Sequence, residues 1–157
     1  MKVSALSGKN SYFEDFHPGM TMEHARGKTV SELENVQITA MSMITSQAHL
    51  NEDVMSRDPR RHRTVFGGVT AALVIGLASQ DTSENGLAEL ALDKIRFAVP
   101  VFHGDTIYAY SEVLEIRDSM RPDAGEVRFR HWGVNQRRAV VFETERTVLI
   151  KRRSHWV

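Results

Sequence analysis

The chain has 157 residues, 41% of them apolar, with 20 basic and 20 acidic side chains, zero formal net charge and no cysteine. That length supports one hydrophobic core and hence one domain; balanced charge gives no pull towards nucleic acid or an anionic bilayer, and the lack of cysteine removes disulfides and thiol catalysis. Met1 to Asn10 lack the apolar core of a signal peptide, and the longest apolar run, Val69 to Ala78, is too short to span a membrane. A soluble, cytoplasmic protein with small or neutral partners, no nucleic acid and no membrane, is expected.

Residues 1–11 are small and polar and read as a loose lead-in to a domain over residues 12–153. Tyr12 to Phe16 is followed by the turn signal His17-Pro18-Gly19, and Met20 to Arg26 reads as a first strand. Thr29 or Ser31 can cap a helix whose Leu33, Val36, Ala40 and Ile44 fall at helical spacing, with Glu32 and Glu34 near its positive start. This helix should end near Thr45, and Met41 and Met43 read as core filler. Residues 46–63 are polar, contain Pro59 and show no period.

From Gly67 a nearly uncharged stretch carries Val69, Ala72, Leu73, Ile75, Gly76 and Leu77, apolar almost all round, as in a helix wrapped by other structure. Asp81 to Gly86 ends it. Ala88–Val101, Thr106–Arg117, Gly125–Asn135 and Ala139–Lys151 then alternate and are rich in Val, Ile, Phe and Tyr, separated by short turns. The sum is an α+β domain, a single antiparallel β-sheet wrapped around a central apolar helix inserted after the first strand, which is the order of elements in a hotdog fold. Such a sheet leaves an edge strand open, so a homodimer or a higher even homo-oligomer is expected.

The chemistry concentrates between Gln47 and Leu77. The first N–H groups of a helix have no partner within it and carry partial positive charge, so Gly67, lacking a side chain, suits the binding of an oxygen that becomes anionic. His49, on the polar segment before it, suits acid and base work. The basic run Arg57 to Arg63 offers cations to phosphates. His103 and Asp105 read as shapers of a turn, and the seven histidines show no metal-ligand spacing.

Three segments resemble the MaoC-like dehydratases, hotdog enzymes that include (R)-specific enoyl-CoA hydratases. They are Tyr12-Phe13-Glu14-Asp15-Phe16-His17-Pro18-Gly19, the His49 segment with Val65 to Leu73, and Lys94-Ile95-Arg96-Phe97 running into Pro100 to Thr106. The family motif has an Asp, then Asn-Pro, then a His, and its later helix opens with His-Gly. Laying His49 on the motif histidine puts Gly67 on that glycine without a gap. Ile44 then falls on the motif Asp, Ser46 on its Asn, Gln47 on its Pro and Phe66 on the helix-opening His, and the chain looks closer to the mesaconyl-CoA hydratase branch.

The resemblance implies a hydratase or dehydratase working on a short enoyl thioester, branched or dicarboxylic ones included, linked to coenzyme A or to a carrier protein. Coenzyme A would enter as part of the substrate, with no separate cofactor. His49 would move protons, with Asn51 and Gln47 holding water in place of the motif carboxylate. Phe66, Gly67, Gly68 and Ser46 would meet the substrate. Glu52 or Asp53 would supply a carboxylate if the loop folds inward. Two other readings stay open: a hotdog acyl-CoA thioesterase, which the lack of a carboxylate between Gly67 and Gln80 weakens, and a catalytically silent acyl-thioester-binding module, which Ile44 favours.

Overall fold

The computed structural model describes residues 1–3 and 11–157. A two-residue strand β1 (Lys2–Val3) and a 3-10 turn (Phe13–Asp15) precede β2 (Thr21–Thr29), then helices α1 (Glu32–Met41), α2 (Gln47–Leu50), α3 (Glu52–Ser56) and α4 (Gly67–Thr82). Four long strands follow, β3 (Gly86–Phe97), β4 (Thr106–Asp118), β5 (Ala124–Asn135) and β6 (Val140–Lys151), and the short α5 (Arg153–Trp156) ends the chain. The sheet runs β1-β2-β4-β5-β6-β3 with antiparallel pairing except between β1 and β2. This is the hotdog arrangement that the alternating sequence led us to expect.

Two expectations about the strands need correction. Lys2 and Val3 pair with Met22 and Glu23, so this part of the lead-in joins the sheet; residues 4–10 lie outside the described residues. Consecutive strands β3 and β4 do not pair, because β3 takes the far edge beside β6. Their connection therefore passes the start of α4, where Val65 N–H donates to Val101 O (2.8 Å) and Thr64 bridges Phe102, and it reaches β2 through Val30 N–H to Asp105 O (2.9 Å). Asp105 shapes that turn as expected: its Oδ2 accepts from Phe102 N–H at 2.9 Å.

Helix α4 packs on β2, β4, β5 and β6. Gly133 permits the close approach, since a Cβ there would stand 2.3 Å from Cγ2 of Val74. The helix buries Val69, Thr70, Val74, Ala78 and Thr82, while Ala72 and Gly76 remain exposed. Apolar residues form two clusters, one around the first half of α4 (Val69, Val74, Ile107, Phe142) and one beneath the 3-10 turn (Phe13, Phe16, Val127, Phe129). A buried polar band separates them: His24 lies 2.7 Å from both Asp81 and Ser111, and Ser111 Oγ is 2.6 Å from His131 Nδ1.

Helix α1 starts as its sequence directs. Ser31 Oγ accepts from Glu34 N–H (3.2 Å) and the Glu34 carboxylate accepts from Ser31 N–H (3.0 Å), a reciprocal capping box. Its buried face is not the expected one. Asn35 and Thr39 are buried, whereas Leu33 is 65% exposed and Met41 and Met43 are 84% and 86% exposed rather than core filler. The cause is what α1 packs on: a peptide N–H at the start of α4 needs an acceptor, and Asn35 supplies it.

Candidate active site

The polar stretch without a period folds as two short capped helices. Ser46 Oγ accepts from Ala48 N–H (3.3 Å) at the start of α2, and Asn51 Oδ1 accepts from Val54 N–H (3.1 Å) at the start of α3. Thr64 N–H donates to Ala48 O (2.9 Å), tying α2 to the segment that leads into α4. His49, at the end of α2, is thereby fixed beside that segment.

One hydrogen bond settles the chemistry of its ring. His49 Nδ1 lies 2.8 Å from the carbonyl oxygen of Thr64. A carbonyl only accepts, so Nδ1 carries a proton, and in the neutral ring the lone pair is then on Nε2, the form a general base needs. The Phe66 ring packs against the imidazole with 5.7 Å between centroids.

Phe66 is the N-cap of α4 and gives no side-chain cap, and Gly67 and Gly68 occupy the first two helical positions. Their N–H groups have no acceptor within the helix and sit at its positive end. Both glycines are needed for close packing. A Cβ on Gly67 would meet the Phe97 ring at 3.0 Å, and one on Gly68 would meet the Phe66 ring at 2.4 Å.

His49, Phe66, Gly67 and Gly68 line one cavity of about 600 Å³, walled on the other side by Phe97 to Val101. The remaining residues expected at the site do not reach it. Ser46 and Asn51 spend their side chains on helix caps, and Gln47 is exposed outside the lining. Glu52 pairs with Arg63 (2.7 Å) and Asp53 with Arg57 (2.5 Å), so neither carboxylate turns inward.

Three further polar residues line the cavity: Arg60, Thr64 and Thr70. Arg60 belongs to the basic run noted in the sequence. Its Nε donates to Asp58 at 2.7 Å, and this contact, with the Arg60 backbone N–H, holds the Asp58 carboxyl at about 2. Thr64 and Thr70 carry no sequence signal of function; Thr64 is found only through the bridge to Phe102, and Thr70 only by its place one turn into a helix whose start is already suspect.

An antiparallel sheet cradling one helix, with an imidazole and a glycine-opened helix start on one cavity, is the plan of a MaoC-like hotdog domain. A family model described as mesaconyl-CoA hydratase matches residues 7–152, and the chain belongs to that family. It is 31% identical to the beta-methylmalyl-CoA dehydratase of Chloroflexus aurantiacus over 95% of this chain and 47% of that protein. It is 30% identical to the (R)-specific enoyl-CoA hydratase of Rhodospirillum rubrum over 90% of this chain and 93% of the relative. A crystal structure of a MaoC domain protein dehydratase from Chloroflexus aurantiacus superposes with a TM-score of 0.87 at 31% identity, covering 93% of this chain and 46% of that one. The chain thus spans about half the length of the mesaconyl-CoA hydratase-type relatives it matches.

Proposed function

We propose that this domain adds water to, or removes it from, the α,β double bond of a short enoyl thioester, with coenzyme A or a carrier protein as the thiol. The observation that carries the reading is the single cavity shared by the His49 imidazole and the Gly67 and Gly68 end of α4. In the hydration direction, His49 Nε2 takes a proton from water as the water oxygen bonds to the β-carbon. The π electrons move onto the thioester oxygen, which the Gly67 N–H stabilises. The imidazolium then returns its proton to the α-carbon, the enolate collapses, and water has been added across the bond. A positioned acid or base is worth about 10²–10⁴-fold in rate, and one oxyanion donor a similar amount.

With no carboxylate in the lining, the water is held by hydroxyls, Thr64 and Thr70 being those at hand. Arg60, at the rim, suits an anionic group, either a phosphate of coenzyme A or a carboxylate on the acyl chain. The names of the relatives, mesaconyl-CoA hydratase and beta-methylmalyl-CoA dehydratase, favour a branched dicarboxylic acyl group.

We also propose that a second copy pairs along β3. That strand has a partner on one side only, and Leu90, Leu92, Ile95 and Phe97 are 44–53% exposed along it. The relatives of twice the length support a two-domain working unit.

The test is hydration of crotonyl- and mesaconyl-CoA followed by loss of enoyl absorbance. Wild-type protein should turn over at least one of them, and His49→Ala, with an unchanged circular dichroism spectrum, should lose at least about a hundredfold in kcat. An unaltered rate in that variant removes the mechanism. The missing carboxylate also favours a second reading, a thioester-binding module without turnover; tight binding of both substrates with no product selects it.

A further inference from the structure

Asn35 is a fully buried polar side chain on the face of α1 opposite its apolar residues, and its two amide atoms face different partners. Oδ1 accepts from Phe66 N–H at 2.9 Å and from Thr39 Oγ1 at 3.3 Å. Nδ2 lies 3.0 Å from His103 Nε2. A backbone N–H can only donate, so the atom facing Phe66 has to be the oxygen and the nitrogen has to face His103. That nitrogen donates, which requires His103 Nε2 to be an unprotonated acceptor. His103 is therefore neutral, with its proton on Nδ1.

Phe66 is the residue on which α4 begins, and the peptide after it carries the Gly67 N–H. We infer that Asn35 is a positioning residue for the reaction proposed above, holding the start of α4 in register with His49 only while His103 is neutral. The inference rests on that functional reading for its consequence and on hydrogen-bond chemistry for its existence. Once His103 gains a proton, its Nε2–H meets Asn35 Nδ2–H, donor against donor. The amide must withdraw or turn, and turning sets its nitrogen against Phe66 N–H. In either case the N-cap peptide of α4 loses its acceptor.

The surroundings keep the latch closed at neutral pH. His103 lines a cleft of about 370 Å³ with Glu32 of α1, Glu52 of α3, and His62 and Arg63 of the segment before α4. Arg63 is itself clamped between Glu32 and Glu52. Burial first, and then the Arg63 guanidinium, lower the His103 pKa, outweighing Glu32 and Glu52, which raise it. On the far side of the turn Asp105 is engaged by Phe102 N–H (2.9 Å), Gln136 (2.6 Å) and Arg137 (3.3 Å). The latch opens on the acid side of the ordinary imidazole range, about 6.5.

Two measurements separate the latch from the reaction. The first is NMR on the full chain: ¹⁵N shifts of the His103 ring and the amide-exchange protection factor of Phe66 from pH 5 to 8. Wild type should carry the Nδ1 proton at neutral pH and lose at least about tenfold in Phe66 protection as His103 protonates. His103→Gln, whose amide oxygen accepts from Asn35 without titrating, should hold that protection level at all pH values. Asn35→Asp should reverse the trend, since a carboxylate pairs with the protonated ring. The second measurement is the pH dependence of enoyl-CoA hydration, in which His103→Gln should lose less kcat than wild type on acidification, the shared part of the decline belonging to the His49 base, with KM alike in both.

An Nε2–H tautomer at neutral pH, or Phe66 protection that does not change with pH in wild type, overturns the latch even if hydration is measured. The expected NMR behaviour without turnover of any enoyl thioester overturns the functional reading and leaves the latch. Should His103→Gln fail to fold, the wild-type tautomer and the Asn35→Asp reversal decide by themselves.

Discussion

His49 Nδ1 meets the Thr64 carbonyl at 2.8 Å and the Thr64 hydroxyl at 3.4 Å, and the carbonyl contact leaves the lone pair of the neutral ring on Nε2. Replacing Thr64 keeps the carbonyl, so the tautomer should survive Thr64→Val, and any loss of kcat in that variant reports on the hydroxyl, through its place at the cavity or its contacts with His49 Nδ1 and Ala48 O. The glycines are more exacting. Gly68→Ala drives a methyl into the Phe66 ring, which packs on His49, so we expect kcat to fall at least about tenfold through a displaced imidazole, measured by steady-state hydration. Asn51 makes the opposite case. Its side chain caps α3, so Asn51→Ala should cost about 1 kcal/mol in urea unfolding and leave kcat within about twofold, whereas a water-holding role would show as a large loss of rate. Sequence reasoning singled out His49 and Gly67, which the fold brings to one cavity, because a proton carrier and a bare backbone donor have recognisable residue types. It placed Asn51 and Gln47 at the chemistry by nearness along the chain, and a short capped helix turns neighbours in sequence to opposite sides.

At the scale of elements, the alternating strands β4, β5 and β6 were readable because each turns alternate residues into the core. Helix α4 was readable as an element from its continuous apolar run, and only Ala72 and Gly76 along it are exposed. Helices α2 and α3 were not, since four and five residues are too few to show a period. Helix α1 was found but turned the wrong way, because a periodicity search looks for buried apolar residues and here the buried ones are Asn35 and Thr39. Its start is testable. Ser31→Ala should destabilise the fold by about 1 kcal/mol in urea unfolding at neutral pH. Lys28, and after it Ser31, hold the Glu34 carboxyl at about 2. That group's contribution is present above the ordinary carboxyl range and lost as pH falls from there towards 2, so the effect of Ser31→Ala should shrink in acid.

Across the whole molecule, the two apolar clusters are separated by the band running from Asp81 through His24 and Ser111 to His131. Burial, then Arg146 and His24, push the His131 pKa well below the usual imidazole value. A histidine depressed in the folded state takes its proton first in the unfolded chain. Its contribution is therefore complete above about 6.5 and declines as pH falls below that value. Melting temperature should drop between pH 7 and 5, and His131→Gln should flatten that slope while lowering stability at neutral pH; an equally steep slope in the variant would move the cause elsewhere. Pairing along β3 is tested by sedimentation: twice the protomer mass for wild type and a shift towards the protomer for Leu92→Lys, a residue outside the His49 cavity. An open edge was expected because an unclosed sheet must leave one, but which strand takes it depends on the strand order, which no local pattern records.

The convergence of His49 and the start of α4 on one thioester is tested most directly by a crystal structure with a saturated analogue that cannot be hydrated, such as butyryl-CoA. The carbonyl oxygen should lie within hydrogen-bond distance of Gly67 N–H, with the β-carbon facing His49 Nε2 across the space of one water. A thioester seated in a different cleft, or its carbonyl turned away from α4 with the imidazole remote from the acyl chain, would contradict it.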